Sequence, residues 1–208
     1  LSIQGGESFY GPEFVEFVDN FPTKENLILD VFTNVVTMDI RVIKRWQKEC
    51  KKLLINASID GTKDVFEEIR WPGKWAKAER KAKQAYDIIG NDLRHFYAIQ
   101  ATNLRSIVDF LNWRNEVTPT SEIIFNLVEG PKELSIDAST QEERNYFIKE
   151  FSKYTGNLSR RESYDLDAVY KLCKELVDDH KLILQRNSKN MYIESIRTSH
   201  LKKNKADI

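Results

Sequence analysis

The chain has 208 residues, which suits one compact domain or two small ones, and its composition (41% hydrophobic, 31% charged) is ordinary for a globular protein. Only 8 Gly and 5 Pro are present, which favours helices over a fold of strands and turns. No apolar run approaches the roughly 18 residues of a membrane span, and the N-terminal residues lack the pattern of a secretory signal peptide. We therefore expect an intracellular protein, in the nucleus or the cytoplasm, that does not contact a membrane.

The net charge of zero hides an uneven distribution of charge along the chain. Residues 1–40 contain one basic and seven acidic residues, whereas residues 41–83 contain thirteen basic and six acidic residues. Such asymmetry is typical of a surface that contacts phosphates or an acidic partner. It also fits an acidic segment that packs beside the basic one, and the sequence leaves both interpretations open.

The first predicted elements are helices. Gly11-Pro12 opens a short helix, because Pro is tolerated at the first helical position. Thr23 is a candidate N-cap for the apolar stretch from Leu27 to Val36, which we interpret as a central helix, with a buried strand as the alternative. The next helix is predicted from Ile40 to Ala57, since apolar residues recur there at three- and four-residue steps.

Three more helices are predicted before the pattern weakens. A short helix from Thr62 to Ile69 should stop before Pro72, and longer helices are expected from Lys74 to Ile89 and from Asp92 to Arg114. Residues 1–115 would then form a helical bundle. Residues 116–139 are interpreted as a linker or irregular segment, in which Ile123 to Val128 is a candidate strand.

The last third has a different pattern. Thr140-Gln141-Glu142-Glu143 is a capping-box pattern that opens a helix, and Asp165 precedes a second helix. After His180 the apolar period changes to two, so residues 181–186 and 191–196 are predicted to form a hairpin. In element order and size, residues 140–197 resemble a winged-helix module, followed by a polar tail at 198–208. The predicted fold class is therefore mainly α, an N-terminal helical bundle followed by a small α+β winged-helix-like module.

The sequence contains no recognisable catalytic motif. The glycine spacing of Gly6 to Gly11 resembles a phosphate-binding loop but lacks the required Lys, and the three histidines form no zinc ligand set. Asp178-Asp179-His180 is interpreted as a solvated helix end. Cys50 and Cys173 are expected to be buried thiols with no disulfide. We therefore expect no catalytic residue, metal or cofactor and no small-molecule substrate.

The clearest constellation is cationic. Two stripes of basic residues are predicted on helix faces, and they are the candidate nucleic-acid-binding residues: Arg41, Lys44, Arg45, Lys48, Lys51, Lys52, Lys74, Lys77, Arg80 and Lys81. A solvated outer face is the alternative interpretation.

The resemblance to winged helices implies a role in binding nucleic acid or protein. The predicted recognition helix is acidic, which favours a protein partner for that module. The sequence thus predicts a non-enzymatic binding module, an adapter in a nucleic-acid-associated assembly whose basic helices contact DNA or RNA. The alternative is a helical protein–protein interaction scaffold. An enzyme with an unfamiliar motif would reveal itself by a pocket of converging polar groups.

Overall fold

The computed structural model describes residues 1–3 and 7–179, and its centre is a parallel β-sheet. Its strands are β1 (Ser2–Ile3), β2 (Ile28–Thr33), β3 (Lys52–Ser58), β4 (Leu93–Ile99) and β5 (Ile123–Leu127). The helices are α1 (Pro12–Asp19), α2 (Ile40–Glu49), α3 (Lys63–Ile69), α4 (Trp75–Ile89), α5 (Ile107–Val117), α6 (Gln141–Phe151) and α7 (160–179). Short 3-10 turns occur at Lys24–Asn26, Gly90–Asp92, Ala101–Ser106 and Ile136–Ala138.

The five strands lie in the sheet in the same order as in the chain, and every neighbouring pair is parallel. Each strand must therefore return to the same end of the sheet through a crossover connection. Because such crossovers are right-handed, a sheet wound in one direction carries its helices on one face. All carboxyl ends of the strands meet at one edge.

Buried and more exposed side chains alternate along the strands, so the two faces of the sheet differ in burial. In β2 the side chains of Leu29 and Val31 are fully buried, while those of Ile28, Asp30 and Phe32 between them are exposed or half-buried. The same alternation runs through β4. Since successive side chains of a strand point to opposite faces, the buried set faces the helices. We call the other, more open face the inner face.

One hydrophobic core lies between the sheet and the helices. Trp46 of α2 is fully buried and packs on Phe9 and Phe14, with ring centroids 5.9 and 5.6 Å away. Phe147 of α6 and Leu166 of α7 belong to the same core. The division of the chain at residues 116–139 stays a prediction.

The predicted fold class is wrong, because the chain is an α/β protein. The stretch Leu27–Val36 contains a strand, the alternative interpretation, and the predicted helices Ile40–Ala57 and Asp92–Arg114 each consist of a helix and a strand. A short apolar run cannot be told from a buried helix segment by periodicity alone, and the runs of β2, β3 and β4 adjoin helical patterns in the sequence. For this reason the local apolar spacing predicted helices at the positions of β2, β3 and β4.

The winged-helix interpretation of residues 140–197 is wrong as well. Residues 141–151 and 160–179 are helices that follow β5 of the parallel sheet, and Phe147 and Leu166 add to its core. The predicted hairpin at 181–186 and 191–196 and the tail at 198–208 lie outside the described residues.

Several local predictions are confirmed. Pro12 opens α1, and the helices α3 and α4 and the strand β5 occur within a few residues of the predicted bounds. The capping box at Thr140 forms as predicted, with Glu143 bonded back to the cap. Cys50 and Cys173 are buried free thiols. Within residues 1–3 and 7–179, no helix is long and apolar enough to cross a membrane.

Candidate functional site

The carboxyl edge of the sheet is the place where the fold brings polar loops together. In folds built from parallel βα units, the binding residues lie on the loops that follow the carboxyl ends of the strands. Five loops emerge at this edge, and polar side chains stand at the strand ends on the inner face. Asn34 follows β2, Ser58 ends β3, and Asn126 lies in β5 beside Ala98 of β4.

A polar network occupies the middle of the inner face. Asp30 of β2 accepts hydrogen bonds on one carboxylate oxygen from Asn56 Nδ2 (2.5 Å) and Arg94 Nη2 (2.9 Å). These three residues come from three adjacent strands, so the network fixes the middle of the inner face. Toward the carboxyl edge, the rings of Phe32 and Phe96 pack with centroids 4.9 Å apart. The inner face thus offers an apolar floor, next to which stand the polar ends of the strands.

The loop after β1 is tied to the end of β2 by one carboxylate. Glu7 accepts hydrogen bonds from Thr33 Oγ1 (2.8 Å), from the backbone N–H of Asn34 (2.6 Å) and from that of Phe9 (3.2 Å). Each carboxylate oxygen accepts about two hydrogen bonds, so Glu7 retains capacity for a ligand donor. The half-buried side chain places a negative charge at the edge of the site.

The loop after β2 has a strained turn. Val35 has φ of 69°, and the N–H of Val36 donates to the C=O of Asn34 at 2.8 Å across it. A β-branched residue at positive φ is a genuine outlier, and such strain persists where surrounding contacts over-determine the backbone. Lys81 of α4 supplies those contacts, donating to the C=O of Val36 (2.9 Å) and of Met38 (2.5 Å).

Burial lowers the pKa of Lys81, and the neighbouring charge of Lys77 lowers it further. The ammonium group is half-buried against loop carbonyls. Its contacts therefore hold the loop that carries Asn34 and Thr37.

The loop after β3 depends on a buried carboxylate. Asp60 has 4% of its side chain exposed, forms an ion pair with Arg70, and accepts a hydrogen bond from the N–H of Ala98 (2.7 Å). The backbone C=O of Asp60 accepts from Asn103 Nδ2 at 3.1 Å. Asp60 therefore joins the ends of β3 and β4 to the α3–α4 connection.

A cavity of about 220 Å³ opens at this edge, and we call it the edge cavity. It lies between the loops after β1 and β2 and the α3–α4 connection. Its lining includes the acidic Glu7, the basic Arg70 and the two aromatic residues Tyr10 and Trp71. The cavity thus combines opposite charges with aromatic surface.

Of the ten predicted basic residues, Lys81 contacts the loop after β2 at this edge. The other nine lie on α2, on α4 and its N-cap, and at the start of β3. Three of the α2 and β3 cations have acidic neighbours: Arg41 pairs with Asp39, Arg45 with Asp19, and Lys52 with Asp92. Lys74 of the second stripe pairs with Glu67, and Lys81 binds loop carbonyls. The exposed side chains of Lys44, Lys48, Lys51, Lys77 and Arg80 have no ion pair within the described part of the chain.

The acidic N-terminal segment does pack beside the basic helix. Asp19 accepts from Arg45 Nη2 (2.5 Å) and Trp46 Nε1 (2.9 Å), and Lys24 pairs with Glu49 at 2.7 Å. Burial alone would raise the pKa of Asp19, but the hydrogen bonds from Trp46 and Arg45 bring it below its ordinary value. Internal pairing thus accounts for part of the charge asymmetry.

Other candidates from the sequence do not form a site. Gly6 and His180 lie outside the described residues, and Asp178 and Asp179 end the described part of α7. His95 is fully buried on the helix-facing side, where burial and then the charge of Arg114 lower its pKa to about 3. Across residues 1–3 and 7–179, no group of three or more His, Cys, Asp or Glu side chains has the arrangement of a metal site.

No family model matches this chain, and no curated protein matches it. Solved structures do share its fold. The structure of native anSMEcpe with bound AdoMet and Kp18Cys peptide has a TM-score of 0.52 and 20% identity, covering 72% of this chain and 44% of that one. The structure of native anSMEcpe with bound AdoMet alone has a TM-score of 0.51 at the same identity and coverage. This chain therefore spans less than half the length of these neighbours.

These findings correct the predicted function. A parallel α/β sheet shared with AdoMet-bound proteins contradicts a non-enzymatic, DNA-binding winged-helix adapter. The expectations that the chain is not an enzyme and has no small-molecule substrate are contradicted as well, because the neighbours bind AdoMet and peptide. The basic stripes as a phosphate-contacting surface stay a prediction. They rest on charge and helical spacing, which do not distinguish a binding surface from a solvated one.

The residues of the site did leave a signal in the sequence. Polar side chains end or interrupt apolar runs in Phe32-Thr33-Asn34, Asn56-Ala57-Ser58 and Phe125-Asn126. In a parallel sheet such residues gather at the carboxyl edge. Assigning the first two of these runs to helices removed that inference.

Proposed function

We propose that this chain binds AdoMet at the carboxyl edge of its sheet, as part of an AdoMet-dependent enzyme. The observation that carries the proposal is the open inner face, whose polar strand ends and aromatic floor lie where parallel sheets bind ligands, in a fold shared with AdoMet-bound structures. The activity of the neighbours belongs to longer chains, so it is proposed here and not carried over.

The residues at this edge match the chemistry of AdoMet. The ligand has an α-amino group, a carboxylate, a positively charged sulfonium, a ribose and an adenine. Glu7 is a half-buried carboxylate with unused acceptor capacity, which suits the ammonium or sulfonium charge. Ser58 and Asn126 offer the hydroxyl and amide groups that recognise ribose or adenine, and the ring of Phe96 provides apolar surface between them.

Two contacts would keep the ligand loops in place. Lys81 holds the strained loop after β2, and Asp60 holds the loop after β3. A site fixed before the ligand arrives loses less conformational entropy on binding. Both residues are therefore positioning residues in this proposal.

An iron–sulfur cluster does not fit the residues described. Radical reactions of AdoMet rely on such clusters, which cysteine thiolates hold. The sequence has two cysteines, Cys50 and Cys173, and both are buried in the core. Burial raises the pKa of Cys50 and raises that of Cys173 to about 11, which opposes the thiolate form.

The test is a calorimetric titration of the chain with AdoMet. We expect saturable binding with one site per chain. Ser58→Ala and Asn126→Ala should each weaken binding roughly 2- to 10-fold, because a lost neutral hydrogen bond costs about 0.5–1.5 kcal/mol. Asn26→Ala is the matched control, since Asn26 is an exposed residue at the amino edge of β2. Equal affinity of all three variants, or no saturable heat, would contradict the proposal.

A further inference from the structure

The rim of the edge cavity carries two unusually exposed aromatic side chains. Tyr10 is 86% exposed and Trp71 is 82% exposed. The other three tryptophans of the sequence, Trp46, Trp75 and Trp113, are 0%, 9% and 8% exposed. Large aromatic residues at a surface are the residue types that most often dominate protein and peptide binding.

The backbone that presents Trp71 is held firmly. Arg70 is fixed by its ion pair with buried Asp60, and the N–H of Gly73 donates to the C=O of Arg70 at 2.7 Å. A Cβ at Gly73 would lie 2.8 Å from that same C=O and 3.2 Å from Val36 Cγ2, so the connection packs closely on the loop after β2.

Tyr10 is presented in a similar way. Its N–H donates to the C=O of Glu7 at 3.1 Å, and Glu7 is bonded to the end of β2. Both aromatic side chains therefore project from ordered backbone. Such presentation favours binding, because little backbone entropy remains to be lost.

The volume of the edge cavity limits the size of the group that it can hold. At about 220 Å³ it is smaller than the roughly 300–1,000 Å³ pockets that enclose whole small-molecule ligands. It suits one large side chain. Arg70 on its wall offers a donor to a backbone C=O group that flanks such a side chain in a peptide.

We propose that the edge cavity is a subsite for a peptide substrate, and that one large apolar side chain of the peptide lies in it between Tyr10 and Trp71. This inference rests on the proposed function, because the peptide would be the substrate of the AdoMet-dependent reaction at the same edge. The peptides present in the anSMEcpe structures agree with this class of substrate.

The experiment uses a phage-displayed library of random 12-residue peptides, selected on the full chain. Selected peptides are synthesised with a fluorescent label and titrated by anisotropy. We expect them to be enriched in Phe, Leu, Ile or Trp. Trp71→Ala should weaken binding at least 10-fold, Tyr10→Ala several-fold, and Trp71→Phe less than Trp71→Ala.

The matched control is Tyr164→Ala, because Tyr164 is also an exposed aromatic residue (76%) but lies on α7. Its peptide affinity should stay within 2-fold of wild type, and circular dichroism should show all variants folded. The proposal is overturned if no peptide is selected, or if Trp71→Ala behaves like Tyr164→Ala.

Titration of the same variants with AdoMet separates this inference from the proposed function. Trp71→Ala should retain AdoMet affinity within 2-fold. Peptide binding that depends on Trp71 in a chain that does not bind AdoMet would refute the proposed function and keep the peptide site. AdoMet binding without any peptide binding would refute the subsite and keep the proposed function.

Discussion

Replacement of Asp60 should loosen the carboxyl edge more than any single exposed change. In Asp60→Ala the N–H of Ala98 loses its acceptor and Arg70 loses its ion-pair partner. Breaking a buried ion pair costs roughly 3–5 kcal/mol. The side chain of Arg70 is 30% exposed and can turn toward water. We therefore expect the free energy of unfolding to fall by about 3 kcal/mol, near the lower end of this range.

Asp60→Asn separates the contribution of the hydrogen bond from Ala98 from that of the ion pair with Arg70. Its amide oxygen still accepts from the N–H of Ala98, whereas its amide nitrogen faces Arg70 and cannot accept, so the ion pair alone is lost. We expect the free energy of unfolding to fall by about 1–2 kcal/mol. Urea unfolding followed by circular dichroism measures both values. The rigidity argument for Trp71 predicts a further effect, faster hydrogen–deuterium exchange at the N–H of Gly73 in Asp60→Ala than in wild type, because the bond of this N–H to the C=O of Arg70 closes the turn that presents Trp71. A loss of free energy of unfolding below about 1 kcal/mol for Asp60→Ala, with unchanged exchange at Gly73, would refute the reasoning.

Three further changes test other parts of the structure. Glu162→Ala should lower the free energy of unfolding by roughly 3–5 kcal/mol in urea, because it leaves Arg114 buried without its partner 3.1 Å away. In the folded chain the pKa of His95 is lowered from 6.5 to about 3. Between these two pH values, the His95 imidazole is therefore protonated in the unfolded chain and neutral in the folded chain. Stability should fall as pH drops through this window, by up to about 1.4 kcal/mol per unit, and His95→Gln should flatten the fall in urea titrations. The exposed pair Lys44→Glu with Lys48→Glu should change stability by less than about 1 kcal/mol and leave AdoMet affinity unchanged in calorimetry, since α2 lies on the outer layer.

Some elements were predictable because local chemistry decides them. Pro12 at a helix start and the reciprocal bonds of Thr140 with Glu143 are short-range features that any fold would keep. The amphipathic pattern of α4 likewise gives one buried stripe of Ala78, Ala82 and Ala85. Sequence reasoning identified these elements correctly.

The sheet was missed because its signals are non-local. Leu93, His95, Tyr97 and Ile99 alternate as a strand, but apolar spacing through Phe96, Leu104 and Ile107 also fits a helix. The buried amide of Asn56 in β3 donates its hydrogen bond to Asp30, which lies on another strand. Pairing partners 24 to 38 residues away cannot be seen in a local pattern. The edge that gathers Asn34, Ser58 and Asn126 exists only once the strands are paired.

Hydrogen–deuterium exchange of the whole chain, with and without AdoMet, tests the central claim most directly. The account predicts slower exchange at the carboxyl edge, in residues 7–10, 33–38, 58–62 and 98–101, because ligand contacts there restrict backbone opening. Exchange at the amino edge, in residues 24–27 and 90–92, should not change. Protection confined to the amino edge or to the outer face of α2 and α4, or no protection at saturating AdoMet, would contradict it.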